Sequence, residues 1–362
     1  MTTIRDVAAR AGVSTATVSH VLAKTRNVSQ ELRKKVLKAT RDLKYQPNQI
    51  ARSLRTKSSA TIGMIIPNIT DPFFPVVVRG AEDALHEQGY TLLIGNSDND
   101  PKKEEAYFNA FLAKRVDGLL MIISPAKQAP SFLLRQTSSQ TPIVYVSRFH
   151  PDLQGDCVML DDIGSSREAV GHLLRSGRRR VGIVTGPLDL LDARMRLEGY
   201  ELAHRDQGVT IDRTLLKEGL YTIESGYEQS KALLQLANLP EALFLCNHLM
   251  LIGCLRAIFE AGIKCPEQIS LVSFGDLEWF DLVRPSITAV RTPTYDLGRT
   301  GAEFLIKRVQ AKLSGSPRHV LLRGEMLIRA SSTPPGAESE KRGEDASGVA
   351  PCAKATFAPI LA

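Results

Sequence analysis

The chain has 362 residues, enough for two or three domains, and its 43% hydrophobic and 23% charged content is typical of a soluble globular protein. Its longest apolar runs, such as GLLMII at 118–123, are far shorter than the roughly 20 residues of a membrane helix. The N-terminus has no apolar signal-peptide core, so we expect a cytoplasmic protein without a membrane partner. Five scattered cysteines without a CxxC pair indicate neither a disulfide framework nor a zinc site, and no cofactor is expected.

The positive charge is concentrated at the N-terminus. Residues 1–60 hold thirteen Lys and Arg against three acids, whereas the rest of the chain carries a small net negative charge. A basic head on a slightly acidic body predicts a polyanion partner for the head alone. A solvated basic face without a partner is the alternative at this point.

Three short helical patterns follow the N-terminus. Thr3 with Asp6 three positions later is typical of a capping box, and Gly12 ends the first pattern. Ser14 and Ser29 are typical N-caps for the second and third patterns. Two helices joined by a tight turn that contains glycine, braced by a third helix, predict a helix-turn-helix domain.

The second helical pattern has the form of a DNA-reading helix. Its apolar stripe is Val18, Val21 and Leu22, and the small polar residues elsewhere on it let its N-terminus enter a major groove. Base contacts are expected from Thr15, Ala16 and His20, and phosphate contacts from Ser14, Thr17 and Tyr45. Taken alone, His20 is equally consistent with an ordinary surface histidine.

The segment YQPNQIARSLRT joins the head to the body. Pro47 ends the third helix, and residues 48–54 are too few to form a stable isolated helix in water. Ala51 and Leu54 are apolar members of this basic segment, and an apolar wedge such as Leu54 can enter a base step and kink the duplex. The segment therefore predicts a hinge that orders on DNA, with a generic linker as the alternative.

From residue 61 onward, short apolar runs alternate with amphipathic stretches. The runs are TIGMII, YTLLIG, GLLMII, PIVYV, CVML, RVGIV, ALFLC and ISLVSF, and the stretches lie near 74–88, 101–114, 164–176, 192–206, 226–237 and 248–262. This alternation predicts an α/β fold with two doubly wound subdomains. No phosphate-binding glycine motif and no nucleophile–base set is visible, so an enzyme is not expected.

Polar and aromatic residues stand at the carboxyl ends of the predicted strands, where ligands of such sheets bind. They are Asn68, Asp71, Phe73, Phe74, Ser124, Ser147, Arg148, Asp161, Asp192, Arg196, Asn247, His248 and Asp276. The set suits a polyhydroxylated or acidic small molecule, and a buried Arg196 without a partner would favour a carboxylate or hydroxyl ligand. Asp161 and Asp192 are equally consistent with N-caps of the following helices.

Many segments resemble the LacI/GalR family of bacterial transcription regulators. The resemblance rests on TIRDVAARAGVSTATVSHVLAKTRNVS and YQPNQIARSLRT, and it continues through SATIGMIIPNITDPFF, ARMRLEGY and VRPSITAVRTP. It implies a repressor whose helix-turn-helix and hinge helix bind a near-palindromic operator as a homodimer, under control of a small-molecule effector. The base readers it implies are Thr15, Ala16 and His20, with Arg26 as an addition, Leu54 as the wedge and Arg55 along the minor groove.

The same resemblance implies an effector core of the periplasmic-binding-protein type. It places effector contacts at Phe73, Arg196, Tyr221 and Asn247, to which the strand-end residues Ser124, Asp161 and Asp276 are added as candidates. A ligand-binding protein of the same core fold without a role in transcription is the alternative, although it leaves the basic head unexplained.

The sequence departs from the family pattern at several core positions. Gly275 precedes Asp276, and His248 follows Asn247 where the family usually has Asp. The positions at which a purine-binding member reads its base are Leu190 and Asp192 here, which favours a sugar or a sugar acid over a purine.

The resemblance also predicts the domain boundaries. They are a helix-turn-helix domain at 1–46, a hinge and linker at 47–60, and a core at 61–333 made of subdomain one (about 61–161 plus 291–321) and subdomain two (about 162–290 plus 322–333). Residues 334–362 are rich in Ala, Pro and Gly without periodicity, and they are predicted to form a disordered tail.

Overall fold

The computed structural model describes residues 2–23, 27–45, 58–135, 141–313 and 315–333. The chain divides into two compact units, Met1–Ala60 and Thr61–Ala362. The predictions for Arg26, for Ala51, Leu54 and Arg55 of the hinge, and for the tail lie outside the described residues.

The described residues of the first unit form three helices, α1 (Ile4–Ala11), α2 (Thr15–Ala23) and α3 (Gln30–Asp42). Thr3 and Asp6 form the predicted capping box on α1, and Gly12 ends this helix in a left-handed conformation, with φ of 66°. Ser14 Oγ accepts a hydrogen bond from the Thr17 backbone N–H at 3.1 Å. Ser29 Oγ likewise accepts from a backbone N–H at the start of α3. These caps agree with the predicted helix starts.

Small apolar side chains from all three helices form the core of this unit. Val7, Val18 and Val36 have no exposed surface, and Val21 and Ala39 are nearly as buried. Because this core uses short side chains, the three helices pack closely and leave the N-terminal residues of α2 on the surface.

The second unit begins with five strands and the helices between them. In chain order these elements are β1 (Thr61–Ile66), α4 (Phe73–Glu87), β2 (Thr91–Asn96), α5 (Pro101–Ala113), β3 (Gly118–Met121), α6 (Ser131–Leu134), β4 (Ile143–Val146) and β5 (Asp156–Leu160).

The remaining elements of the second unit continue the same alternation. They are α7 (Asp162–Arg175), β6 (Val181–Thr185), α8 (Leu191–Asp206), β7 (Leu216–Glu218), α9 (Ile223–Leu234), β8 (Ala242–Leu245), α10 (His248–Glu260), β9 (Ser270–Phe274), β10 (Thr288–Arg291), α11 (Thr294–Val309), β11 (His319–Leu322) and β12 (Glu325–Leu327). Three 3-10 turns lie at Arg213–Leu215, Glu278–Asp281 and Ala330–Ser332.

The twelve strands of the described residues form two six-stranded sheets. The first has the order β11-β5-β4-β3-β1-β2, with parallel neighbours throughout. The second has the order β12-β10-β9-β8-β6-β7, with β12 antiparallel to β10 and the other pairs parallel. Apart from its outermost strand, β11 or β12, each sheet has the 2-1-3-4-5 order of a doubly wound fold. The α/β fold class with two parallel-sheet subdomains is confirmed.

Helix α11 was not among the predicted helices, and it packs against α4 through glycines. A Cβ atom on Gly80 would lie 2.0 Å from the Tyr295 carbonyl oxygen, and one on Gly298 would lie 1.9 Å from the Val77 carbonyl oxygen. The two helices therefore approach more closely than any larger residue would permit. Within the described residues, no helix combines the length and the apolar character needed to span a membrane.

Candidate functional site

A cleft lies between the two sheets of the second unit, at the carboxyl ends of their strands. Its lining residues come from both subdomains and are Asp71, Phe73, Phe74, Ser147, Arg148, Leu160, Asp192, Arg196, Tyr221, Asn247, His248, Phe274, Gly275 and Thr292. Its cavity volume is about 50 Å³, whereas typical ligand pockets measure roughly 300–1,000 Å³. The cleft is therefore nearly closed in this conformation.

Arg196 lies in the cleft wall, and two of its three guanidinium nitrogens donate hydrogen bonds to protein groups. Its Nε donates to Asp162 Oδ1 at 2.7 Å, and its Nη1 donates to the Cys246 carbonyl at 2.6 Å and to the Tyr221 hydroxyl at 3.3 Å. Its guanidinium carbon lies 3.9 Å from the Phe274 ring centroid. Asp162 therefore supplies a carboxylate partner for Arg196 from within the protein, so this arginine does not need an acidic ligand as its counter-charge.

Asp162 was absent from the sequence-based candidates, although it is fully enclosed beside Arg196. Burial raises the pKa of its carboxyl group, and the Arg196 guanidinium opposes that rise. The available signal was the pair Asp161–Asp162 at a strand end. One carboxylate caps the helix that follows, and the other is then free for a second role.

Asp192 and the outer end of the Arg196 guanidinium keep unused hydrogen-bonding capacity. The Tyr221 hydroxyl donates to Asp192 Oδ2 at 3.1 Å. Arg196 Nη2 lies 3.7 Å from the same oxygen, which is beyond hydrogen-bond distance. Asp192 Oδ1 is buried and has no hydrogen-bond partner among the described residues. An acceptor and a donor therefore stand side by side in the wall, an arrangement that complements hydroxyl groups.

Tyr221 and Ser147 line the cleft with left-handed backbone conformations. Their φ angles are 59° and 64°, and such conformations in non-glycine residues cost on the order of 1–3 kcal/mol and cluster at functional sites. The Tyr221 ring packs directly on Gly186, where a Cβ atom would lie 2.0 Å from the ring. Burial raises the pKa of Tyr221 well above its usual value, so its hydroxyl stays protonated and can donate.

A hydrogen bond joins the two subdomains across the cleft. His248, the first residue of α10, places its Nε2 3.0 Å from Asp71 Oδ1 in the loop after β1, and both side chains are buried. The neighbouring Asn247 caps α10 by accepting two backbone hydrogen bonds on Oδ1. That cap leaves the Asn247 side-chain N–H groups for other partners.

Four of the seven predicted effector contacts line the cleft, and three do not. Phe73, Arg196, Tyr221 and Asn247 line it, in contrast to Ser124, Asp161 and Asp276. The backbone N–H of Ser124 donates to the buried Glu104 at 2.6 Å, and Asp161 Oδ1 caps α7. Asp276 forms ion pairs with Arg291 and Arg329. Each of the three is thus occupied by a local cap or by a partner distant in the sequence.

Most of the predicted DNA-contacting residues of the head lie in or just before α2, and Tyr45 follows α3. Ser14, Thr15 and Ala16 are exposed, and Thr17, His20 and Tyr45 are half-buried. Ser14 Oγ lies 3.0 Å from Thr17 Oγ1, so the first turn of α2 carries a cluster of hydroxyl groups.

Within the described residues, no group of three or more His, Cys, Asp or Glu side chains is arranged to hold a metal ion. Cys157, Cys246, Cys254 and Cys265 are free thiols. Burial raises the pKa of the Cys157 thiol to about 12, a value typical of an unreactive thiol.

Comparisons with known proteins extend over nearly the whole chain. Residues 3–48 match the family described as bacterial regulatory proteins, lacI family, and residues 170–332 match the periplasmic binding protein-like domain. The HTH-type transcriptional repressor PurR of Haemophilus influenzae (strain PittEE) is 35% identical over 333 residues, which are 91% of this chain and 98% of that protein.

Two solved structures are similar over the same extent. The Lac repressor dimer bound to operator and the anti-inducer ONPF has a TM-score of 0.82 at 25% identity, with 91% of this chain and 99% of that chain covered. The complex of the transcriptional regulator CelR with cellobiose has a TM-score of 0.69 at 29% identity, with 91% of this chain and 100% of that chain covered.

Proposed function

Since the chain belongs to the LacI family of bacterial regulatory proteins and is a DNA-binding transcriptional repressor under small-molecule control, we propose that its effector is a neutral sugar bound in the cleft. The observation that carries this proposal is the unpaired Oδ1 of Asp192, a carboxylate whose other oxygen lies 3.7 Å from Arg196 Nη2. A sugar supplies neighbouring hydroxyl groups, and each hydroxyl can both donate to a carboxylate and accept from a guanidinium.

The charge balance of the cleft favours a neutral sugar over a sugar acid. The cationic side chains in the lining are Arg148 and Arg196, and the carboxylates are Asp71 and Asp192, with Asp162 behind them. Because the carboxylates at least match the cations, there is no surplus positive charge for an acidic ligand to neutralise. The complex of CelR with cellobiose is a precedent for a sugar ligand on a related fold.

We assign roles to the lining residues on this basis. Asp192 and Arg196 hold sugar hydroxyls, the Asn247 amide donates to another, and Phe73 packs against the apolar face of the ring. The ligand needs far more room than about 50 Å³, so binding changes the angle between the subdomains. That change controls operator affinity through the hinge at residues 47–60.

We further propose that a homodimer binds a near-palindromic operator. Thr15, Ala16 and His20 read bases, with Arg26 as an addition; Ser14, Thr17 and Tyr45 contact phosphates. Leu54 enters the central base step beside Ala51 and Arg55. The exposure of the first residues of α2, the basic head and the Lac repressor dimer bound to operator support this arrangement.

A thermal-shift screen of the full chain tests the effector proposal. Neutral sugars, sugar acids, polyols and purines are compared, and we expect a saturable rise in melting temperature with a neutral sugar. Asp192→Asn should abolish that rise. Asp189→Asn changes an exposed carboxylate in the loop just before α8, so it is the matched control and should preserve the rise. A rise only with sugar acids or only with purines would contradict the proposal.

A mobility-shift assay tests the DNA contacts. The full chain should retard a palindromic duplex selected from random sequences, and the chain without residues 1–60 should not. Binding should weaken steeply with salt because the head carries a large excess of positive charge. Unchanged affinity and unchanged DNA bending in Leu54→Ala would rule out the wedge.

A further inference from the structure

A second cavity, here called the outer groove, adjoins the cleft. Its volume is about 400 Å³, and it shares Phe73, His248, Gly275 and Thr292 with the cleft lining. The two cavities therefore adjoin at these four residues. A molecule that fills the cleft and extends past Phe73 and His248 enters the outer groove.

The walls of the outer groove are mainly apolar, and most of its polar side chains are paired, whereas the lining residue Glu278 is exposed to solvent. Leu277 and Trp279 are among the apolar residues that line it. The carboxylate of Asp276 is paired with Arg329 at 2.8 Å. The hydroxyls of Thr292 and Thr294 lie 2.9 Å apart and bond to each other. The groove therefore suits a neutral group with an apolar face better than a charged one.

Trp279 offers a fixed aromatic surface in this groove. Its ring packs edge-on against Phe280, with centroids 4.6 Å apart and an interplanar angle of 73°. Phe280 has no exposed surface, so it anchors the indole to the core, whereas Trp279 itself is only half-buried. A rigid aromatic ring that is already in position loses little conformational entropy when a ligand stacks on it.

We propose that the outer groove binds the second ring of a disaccharide whose first ring occupies the cleft. This inference rests on the proposed function, and it extends the ligand class from a sugar to a two-ring sugar. A pyranose ring has the required neutrality and presents an apolar C–H face to Trp279. The outer groove falls within the usual size range of ligand sites, which the cleft alone does not reach in this conformation.

The experiment uses the fact that Trp279 is the single tryptophan of the chain, so tryptophan fluorescence reports on the outer groove alone. The full-length protein is titrated with cellobiose, maltose and lactose, and with glucose and galactose as their single-ring components. We expect one disaccharide to change the emission and to bind at least about tenfold more tightly than its component sugars.

Sugar affinities of three variants, measured by calorimetry, separate the loss of stacking on Trp279 from a general disturbance of the fold. Trp279→Ala should weaken disaccharide binding about tenfold and leave monosaccharide binding unchanged. Trp279→Phe should retain part of the preference because it keeps an aromatic face. Leu282→Ala removes a side chain that is 78% exposed, directly after the same 3-10 turn and outside the groove lining, so it should behave as wild type.

The possible failures are distinguishable. Equal affinity for single-ring and two-ring sugars, with unchanged emission, would overturn the outer-groove inference and leave the neutral-sugar effector intact. A rise in melting temperature with purines alone would overturn both the disaccharide assignment and the neutral-sugar effector. No response to any sugar, in fluorescence or in melting temperature, would overturn both proposals.

Discussion

Replacing Gly186 by Ala tests how the polar wall of the cleft is positioned. The Cβ atom of an alanine would lie 2.0 Å from Tyr221 Cζ and 2.4 Å from Cε1, whereas carbon atoms in contact are about 3.5–4.0 Å apart. The Tyr221 ring would have to move by about 1.5 Å. Its hydroxyl is 3.1 Å from Asp192 Oδ2, so this movement is enough to break the hydrogen bond between them.

Two effects of this movement set the expected loss in the free energy of unfolding. Overpacking of a buried site costs about 1–3 kcal/mol, and the loss of a hydrogen bond to a charged group costs about 1.5–3 kcal/mol. A total of about 2.5–6 kcal/mol in a core of this size corresponds to a fall in melting temperature of about 5–15 °C. Effector affinity should fall with it, because the unpaired Asp192 and Arg196 atoms depend on the placement of Tyr221.

A double-mutant cycle supplies the assay and its control. Melting temperature and effector affinity are measured for Gly186→Ala, for Tyr221→Ala and for the two changes together. Since Tyr221→Ala removes the ring that clashes, Gly186→Ala should be nearly neutral in that background. A cost of Gly186→Ala that is the same in both backgrounds would refute the packing argument.

Three further changes have defined outcomes. Gly298→Ala places a Cβ atom 1.9 Å from the Val77 carbonyl oxygen, so it should destabilise the core by about 3 kcal/mol; an unchanged melting temperature would contradict the close α4–α11 contact. His248→Leu removes the 3.0 Å hydrogen bond to Asp71, worth about 1–3 kcal/mol, so the ligand-free protein should open more readily; unchanged small-angle scattering would argue against this. Burial raises the pKa of Glu104 above 4.5, so its native carboxyl binds a proton more tightly than the unfolded one. Through Glu104, the free energy of unfolding should therefore fall as the pH rises from about 4.5 through the native pKa, and Glu104→Gln should lack this contribution when denaturant unfolding is compared at about pH 5 and pH 8.

The alternation of apolar runs and amphipathic stretches predicted the α/β class because most strands are buried on both faces. RVGIV, for example, reads as a continuous apolar run, and the strand Val181–Thr185 is buried throughout. Strands such as Leu216–Glu218 are too short and too polar to show the hydrophobic pattern of a strand. Helix α11 escaped prediction because Gly298 and Gly301 lower its helical propensity, whereas close packing requires a minimal side chain at both positions.

The site was predicted in part, for reasons that differ between residues. The family resemblance placed Arg196 in the cleft, where the structure has it. Nothing in the sequence distinguished Asp161 from Asp162, because a shift of one residue decides which carboxylate caps α7 and which faces Arg196. Asp276 is not an effector contact because its carboxylate pairs with Arg329, which lies 53 residues away in the sequence. Such a contact is a product of the completed fold and has no local pattern.

Control by an effector follows from how the two subdomains are joined. Within the described residues the chain passes between the sheets three times, near 161, 292 and 323, so the crossings lie side by side at one edge and permit a change of angle. The cleft holds only about 50 Å³ and is bridged by His248 and Asp71, so a sugar must bind a more open state more tightly than this one. If operator DNA also distinguishes these states, linkage requires the two ligands to affect each other by the same factor. Effector affinity should therefore differ between protein with operator and protein without it, and an effector affinity that operator leaves unchanged would exclude a change of subdomain angle shared by the two ligands.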